Sequence, residues 1–339
     1  MSNDASGRIT SCRWEQGRLV EQGFPLEDLS EHLAREGSLV WVDVCEPDGA
    51  RLNALAAELG LDRHAVEDAV STGERPKATR HPGHTFLTVY ATRLEAPGND
   101  PAAPDSRLHL TRISAFVLPR GVITVRGSAG FDMEPVLERW NEDPELLRHG
   151  VGVLVHGLLD AVVDGHFETI QQLDDAIEDL EDTLFDDRGQ SRVVQLRTYR
   201  LRKELVQLRR VVLPMRDVVN AVLRHRRDLE NRVPELDGFY DDLYDHVLRA
   251  AEWTESVRDM VSTVFETNLS LQDARLNTVM KKLTGWAAII AVPTAVTGWF
   301  GQNVPYPGFG SHGGVLFSLG VIVVTASLLY GVFRRKGWI

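Results

Sequence analysis

The densest group of side chains able to attract metal ions lies between residues 174 and 187. Eight of these fourteen residues are carboxylates: Asp174, Asp175, Glu178, Asp179, Glu181, Asp182, Asp186 and Asp187. Carboxylate oxygens are preferred ligands of Mg²⁺ and Ca²⁺, so one interpretation is a surface that concentrates divalent cations. The other interpretation is a solvated helix face, because the spacing implies no single cage and runs of like charge commonly stay in water.

A second group with metal-binding potential is the histidine pair His81 and His84, in the sequence HPGH. A site usually needs a third protein ligand, so we interpret this pair as residues bordering a loop. The chain contains neither the phosphate-binding motif GxxxxGK(S/T) nor the metalloprotease motif HExxH. We therefore expect no ATP-driven pump, no enzyme and no organic cofactor.

One long stretch of the chain, residues 283–333, contains no Asp, Glu, Lys or Arg over 51 residues. Its two ends, 283–300 and 315–333, would be about 27 and 28 Å long as helices, enough to cross a bilayer. Half of residues 301–314 between them are Gly or Pro, so the chain must turn there. The alternative is a buried helical hairpin, but soluble core helices seldom run this long without a charged face. The sequence predicts two membrane spans.

The first predicted span carries a stripe of mostly small, uncharged side chains at steps of three or four residues. The stripe comprises Asn277, Met280, Leu283, Ala287, Ala291, Thr294 and Gly298. Two spans cannot enclose a path, so transport would require several copies around an axis that the stripe faces. The alternative is close helix packing through small residues, which is common in membranes. The second span is richer in Val, Ile and Leu, as expected for a helix that faces lipid.

Charged residues predict the orientation of the spans. Basic residues flank both outer ends: Lys281, Lys282, Arg334, Arg335 and Lys336. Short flanks rich in Lys and Arg stay on the cytoplasmic side of a membrane. We therefore expect a protein of the inner cell membrane with both termini in the cytoplasm. Residues 1–282 hold 34 basic and 49 acidic side chains, which disfavours nucleic acid and attracts cations.

The region before the spans begins as a mixture of strands and a short helix. Strands are predicted at 39–44, 84–94, 109–118 and 122–126, the last two as a hairpin, because these runs are apolar or β-branched. A short helix is predicted at 47–60, with Asp48 near its start and Gly60 at its end.

From about residue 150 the apolar pattern becomes helical. A seam from Ile170 to Leu184 has coiled-coil spacing, and a second helix is predicted over 190–228 with a kink at Pro214. A third helix is predicted from 236 to 300, interrupted only by Pro293 inside the membrane. Such a helix, on the order of 100 Å long, would couple a soluble domain to a membrane segment.

Several motifs together resemble the CorA family of magnesium and cobalt transporters. Gly301-Gln302-Asn303, which ends the first of the two spans, is similar to the Gly-Met-Asn signature of that family. Similar segments also occur at residues 74–77 (ERPK), 204–219, 244–246 (YDH), 277–284 and 334–339 (RRKGWI). The resemblance covers roughly residue 38 to the end. It implies a funnel-shaped homopentamer with an α/β cytoplasmic domain and a pore lined by the first span.

The resemblance also implies roles for individual residues. Gly301, Gln302 and Asn303 would form a selectivity ring at the outer mouth, where oxygen atoms meet the water ligands of a hydrated ion. Asp242 matches an aspartate that binds regulatory Mg²⁺ between subunits. The acidic partner in the family aligns with apolar Leu94 here, so Glu95 beside it is the candidate partner.

Two positions depart from the family pattern. Gln302 replaces the usual Met, and Ala291 stands where a bulky apolar gate residue is common. The constriction should therefore fall to Met280 and Leu283. The zinc-transporting ZntB branch also carries a GxN motif with a different middle residue, so Zn²⁺ remains an alternative as the transported ion. The YDH segment favours the CorA branch.

We therefore predict an α+β membrane protein with a long helical stalk. The segments are a cytoplasmic α/β domain (1–150), a cytoplasmic helical region (151–282), two transmembrane helices (283–302 and 315–333), an outer loop (303–314) and a basic tail (334–339). The predicted function is potential-driven transport of Mg²⁺, with Co²⁺ tolerated, gated by cytoplasmic Mg²⁺. The alternatives are a Zn²⁺ or Ni²⁺ transporter and a non-conducting membrane-anchored sensor or scaffold.

Overall fold

The computed structural model describes residues 8–71, 73–96, 106–184, 191–228, 233–302, 305 and 308–339, in two compact units, Met1–Val264 and Phe265–Ile339. The strands are β1 (Arg8–Glu15), β2 (Arg18–Gln22), β3 (Ser38–Cys45), β4 (Lys77–His81), β5 (His84–Leu94), β6 (Leu108–Leu118) and β7 (Gly121–Arg126). The helices are α1 (Leu29–Ala34), α2 (Gly49–Leu59), α3 (Arg63–Val70), α4 (Glu134–Glu142), α5 (Pro144–Leu147), α6 (Val151–Leu184), α7 (Ser191–Val212), α8 (Met215–Arg227), α9 (Asp237–Phe300) and α10 (His312–Arg335).

The first unit is built on one mixed sheet of seven strands in the order β2-β1-β3-β7-β6-β5-β4. Only β3 and β7 pair in parallel, and the other neighbours are antiparallel. Both parallel strands are buried along their whole length, as expected for strands covered on two faces. The predicted strands in this region are confirmed, including the β6–β7 hairpin.

Helices cover both faces of this sheet because its strands are apolar on both sides. On β5, Phe86 joins the core shared with α2 and α3, whereas Leu87 and Val89 join the core shared with α4, α6 and α8. This alternation follows from the two-residue period of a strand. The predicted ends of α2 are also confirmed: Asp48 caps its N-terminus and Gly60 ends it in the left-handed region.

The helical part of the first unit differs from the prediction at one point. The seam from Ile170 to Leu184 lies on α6 and is buried, as its spacing indicated. Pro214, however, does not kink one helix but separates α7 from α8. Pro214 has no N–H to donate, and its carbonyl instead accepts the first hydrogen bonds of α8, from Asp217 and Val218 at 3.0 and 3.1 Å.

A buried ion pair joins the two parallel strands. The Nε atom of Arg126 donates to the Asp43 carboxylate at 3.0 and 3.1 Å, and the Thr124 hydroxyl donates to the same carboxylate at 2.6 Å. Asp43 is 2% exposed and Arg126 is 7% exposed, so water stabilises neither charge and each depends on the other. Such a pair stabilises the fold only while both partners are present.

We expect Asp43→Ala to lower the free energy of unfolding by about 3–5 kcal/mol, because it leaves a buried guanidinium without its counter-charge. Thermal unfolding of the purified full chain, followed by circular dichroism, measures this loss. The double variant Asp43→Leu/Arg126→Met leaves no buried charge and should lose much less stability. Equal losses of unfolding free energy in the single and double variants would show that an unpaired buried charge is not the cause of the loss.

The second unit contains the C-terminal part of α9 and all of α10. Both helices include an apolar window long enough to cross a membrane, with mean hydropathies of 1.4 and 2.3. Only 6% and 0% of these windows are buried. A helical hairpin inside a soluble core would be mostly covered, so the structure does not support that alternative. The prediction of two apolar C-terminal helices is confirmed.

Candidate ion pathway and regulatory site

One face of α9 packs against α10. The rings of Phe300 and Phe317 lie 6.3 Å apart, and those of Trp286 and Tyr330 lie 6.5 Å apart. A methyl group on Gly285 would approach the ring of Phe333 at 3.6 Å. Between residues 283 and 300, the covered or half-covered positions of α9 are Gly285, Ala288, Ile289, Val292, Pro293, Val296 and Phe300. These positions recur at helical spacing and define the face of α9 that α10 occupies.

The stripe predicted to line a pore lies roughly opposite that face, at about 100° of rotation per residue. All seven of its members are exposed: Asn277, Met280, Leu283, Ala287, Ala291, Thr294 and Gly298. Met280 is 57% exposed and Leu283 is 62% exposed, although both are large and apolar. The small residues of the stripe are therefore not used to pack α10 within one chain.

Gly301 follows the last residue of α9 and closes its end. Its N–H donates to the carbonyl of Thr297 at 2.8 Å, and a Cβ at this position would lie 2.9 Å from the same oxygen. A side chain at this position would therefore require the backbone of this last turn to shift. The N–H of Gln302 donates to the carbonyl of Trp299 at 3.3 Å. Asn303, the third residue of the predicted ring, lies outside the described residues.

Asp242, the predicted regulatory ligand, lies near the start of α9 with its side chain 72% exposed. Its carboxylate lies 3.6 Å from Nε2 of His246, one helical turn later. His246 is the last residue of the YDH segment, and its i,i+4 spacing from Asp242 is the sequence signal for this contact on a helix.

Glu95, the candidate partner, follows β5 and is 55% exposed. It lies 3.1 Å from Nε2 of His109 and 3.9 Å from Arg93, so local basic groups already engage it. Among the described residues, no three His, Cys, Asp or Glu side chains form a cluster that could hold a metal ion. Within the described part of one chain, neither Asp242 nor Glu95 therefore belongs to a metal-binding cluster.

The acidic cluster at residues 174–187 was another candidate for metal binding. Asp174 of the acidic cluster accepts a hydrogen bond from the indole of Trp253 at 3.0 Å, and Asp175, Glu178, Asp179, Glu181 and Asp182 are exposed. Asp186 and Asp187 lie outside the described residues. The described part of the cluster is a solvated face of α6.

His81 and His84 flank the tight turn between β4 and β5, where their rings stack at 4.9 Å. Burial, with a smaller contribution from His81, lowers the pKa of His84 and keeps it neutral near pH 7. This pair borders a turn, as we interpreted from the sequence, and belongs to no metal cluster of the described residues.

Comparison with known proteins decides the family. The model of the family described as CorA-like Mg²⁺ transporter protein matches residues 36–335. This chain belongs to that family. The resemblance drawn from the GxN, YDH and C-terminal motifs is confirmed, and the family's members are ion transporters rather than enzymes. The chain is therefore a CorA-like divalent cation transporter of the membrane.

Individual relatives agree with this assignment. The cobalt/magnesium transport protein CorA of Thermotoga maritima is 28% identical over 83% of this chain and 77% of its own length. The zinc transport protein ZntB of Cronobacter sakazakii is 26% identical over 82% of each chain. The complete structure of the CorA magnesium transporter from Methanocaldococcus jannaschii has the same fold, with a TM-score of 0.73, 21% identity and 98% coverage of both chains.

Proposed function

We propose that this protein is a channel-like Mg²⁺ transporter, with Co²⁺ tolerated, that works as a homo-oligomer. The observation that carries the proposal is the uncovered stripe on α9, because α10 packs on the opposite face. A small, uncharged and exposed helix face needs a partner, and further copies around an axis would turn it into the wall of a path. By family resemblance we propose five copies in a funnel-shaped assembly.

The proposed path suits an ion that keeps its water. Mg²⁺ dehydrates reluctantly, so a wide ring of oxygen acceptors costs less than a cage of direct ligands. Gly301, Gln302 and Asn303 would supply such a ring at the outer mouth, and the stripe would supply weakly polar walls. The membrane potential provides about 4.6 kcal/mol per 100 mV for a divalent ion, twice the roughly 2.3 kcal/mol per charge.

We further propose that both termini are cytoplasmic, in the inner cell membrane, with residues 283–302 and 315–333 spanning it. The supporting feature is the basic residues at both outer ends of the spans. Cytoplasmic Mg²⁺ would act as a regulatory ligand at Asp242, with Glu95 as a candidate partner from a neighbouring copy. Both carboxylates are exposed, so they are accessible to a neighbouring copy although basic side chains of the same chain lie beside each of them.

The specific observation that favours a second candidate, Zn²⁺ transport, is the similarity to zinc transport protein ZntB. Uptake into proteoliposomes under an imposed negative internal potential separates the two. We expect Mg²⁺ and Co²⁺ to enter faster than Zn²⁺ and Ni²⁺ at equal concentrations. Uptake of Zn²⁺ without uptake of Mg²⁺ would show that the protein is a Zn²⁺ transporter instead. Absence of uptake of any ion would favour a membrane-anchored sensor.

We predict that Met280 and Leu283 form an apolar constriction near the cytoplasmic end of the stripe. They are its largest apolar side chains, and apolar rings hold back ions by excluding water. The double variant Met280→Gly/Leu283→Gly should raise ion leak at inhibitory internal Mg²⁺. Fluorescent dye trapped in proteoliposomes reports that leak.

The matched control is Val279→Gly/Ile290→Gly, which shortens two exposed apolar residues of the same helix that are not members of the stripe. It should leave the leak near that of the unchanged protein. If the stripe variant leaks no more than this control, the constriction lies elsewhere on the path.

A further inference from the structure

A groove of about 540 Å³ in the first unit is lined by α7, the α7–α8 connection and α9. Four arginine side chains line it: Arg202, Arg209, Arg210 and Arg258. All four are exposed. This concentration of positive charge contrasts with residues 1–282 as a whole, which hold 49 acidic and 34 basic side chains. The transport proposal gives the groove no role.

The positive charge of the groove is only partly balanced. Arg209 and Arg258 share one carboxylate, that of Glu255, which accepts from Arg258 at 2.9 Å. Asp259 lies 3.8 Å from Arg258. Within the described part of the chain, Arg202 and Arg210 have no carboxylate within the 4.0 Å of an ion pair. Two guanidinium groups therefore remain free to bind an added anion.

The shape and floor of the groove indicate the kind of anion. Its volume lies within the range of about 300–1,000 Å³ that is usual for small-molecule sites. Arg202 and Arg210 start about 12 Å apart along α7, which favours an extended anion over a single phosphate. Leu205 and Val261 are each 3% exposed and form an apolar floor. Guanidinium groups bind phosphoryl oxygens through paired hydrogen bonds.

We propose that this groove binds a soluble polyphosphate anion, either inorganic triphosphate or the triphosphate of a nucleotide. The two sources share the phosphoryl contacts with Arg202 and Arg210. They differ in whether a base also covers the apolar floor at Leu205 and Val261.

Calorimetric titration of the full chain in detergent, with divalent ions removed, tests the site with inorganic triphosphate, ATP and orthophosphate as probes. We expect triphosphate and ATP to bind, and orthophosphate to bind at least about tenfold more weakly. Tighter binding of ATP than of triphosphate would assign the floor to the base, and equal binding would assign the site to the phosphoryl groups.

The decisive variant is Arg202→Gln/Arg210→Gln, which should weaken both polyphosphates at least about tenfold because it removes charge-assisted hydrogen bonds. The matched control, Arg192→Gln/Lys203→Gln, removes two charges from the same helix outside the groove and should change affinity less than about twofold. Thermal melting confirms that both variants are folded. Absence of polyphosphate binding by the unchanged protein, or equal weakening in the two variants, would overturn the proposal.

Discussion

Asn303→Ala should reduce Mg²⁺ uptake to the background of protein-free liposomes while the oligomer still assembles. The expected cause is the loss of the amide oxygens that would face the water ligands of the ion at the outer mouth. A methyl group offers no acceptor there, so the hydrated ion would lose interactions on entering. Uptake into proteoliposomes under an imposed potential measures the effect, and size-exclusion chromatography in detergent checks assembly.

The control for Asn303→Ala is Ser318→Ala, which removes a half-buried polar side chain from α10. Among the residues that the structure describes, that hydroxyl donates to the carbonyl of Val315, three residues earlier in the same helix, at 2.9 Å. We expect Ser318→Ala to transport normally. Normal uptake by a correctly assembled Asn303→Ala variant would remove Asn303 from the selectivity ring.

Asp242→Asn should make transport less sensitive to internal Mg²⁺. Bound Mg²⁺ would neutralise carboxylates that face each other across subunits and favour a closed ring, whereas its removal would leave like charges that repel. A ligand shifts such an equilibrium only through differential affinity, and about 1–3 kcal/mol of coupling is typical. The concentration of internal Mg²⁺ that halves the flux should therefore rise by about 5–150-fold.

The neighbouring residue offers a matched control, because Asp241→Asn removes the same charge one position earlier. The Asp241 carboxylate is 66% exposed and lies 4.0 Å from Arg227 of α8, so it matches Asp242, which lies 3.6 Å from His246, in exposure and in having a basic group nearby. We expect its inhibition curve to match that of the unchanged protein. Coincident curves for Asp242→Asn and the unchanged protein would refute Asp242 as the sensor.

The fold was predictable wherever apolar residues follow a clear period. The strands around Trp41, Phe86 and Ile123 and the seam of α6 have such a pattern, and each forms the element that the pattern indicated. Strand β1 was missed because polar residues occupy buried positions in it. Arg13 is 8% exposed and pairs with Glu21 of β2, a contact between strands that no local pattern reveals.

The candidate site was predictable to a different degree. Helical spacing alone placed Thr294 and Ala291 on one face of α9, and the structure shows that this face is uncovered by α10. The surroundings of Asp242 depend on other parts of the fold, and a site shared between subunits depends on contacts that one chain does not contain. A residue's exposure and its partners follow from packing, which the order of residues encodes only indirectly.

Block of flux at single introduced cysteines tests most directly whether ions pass along the uncovered face of α9. Both native cysteines are buried, Cys12 at 0% and Cys45 at 3% exposure, so a small cationic thiol reagent should spare them. Thr294→Cys lies on the uncovered face and Val292→Cys on the face toward α10. We predict that the reagent abolishes Mg²⁺ uptake through Thr294→Cys and leaves Val292→Cys unaffected. Equal block of both, or block of Val292→Cys alone, would show that the uncovered face of α9 does not line the ion path.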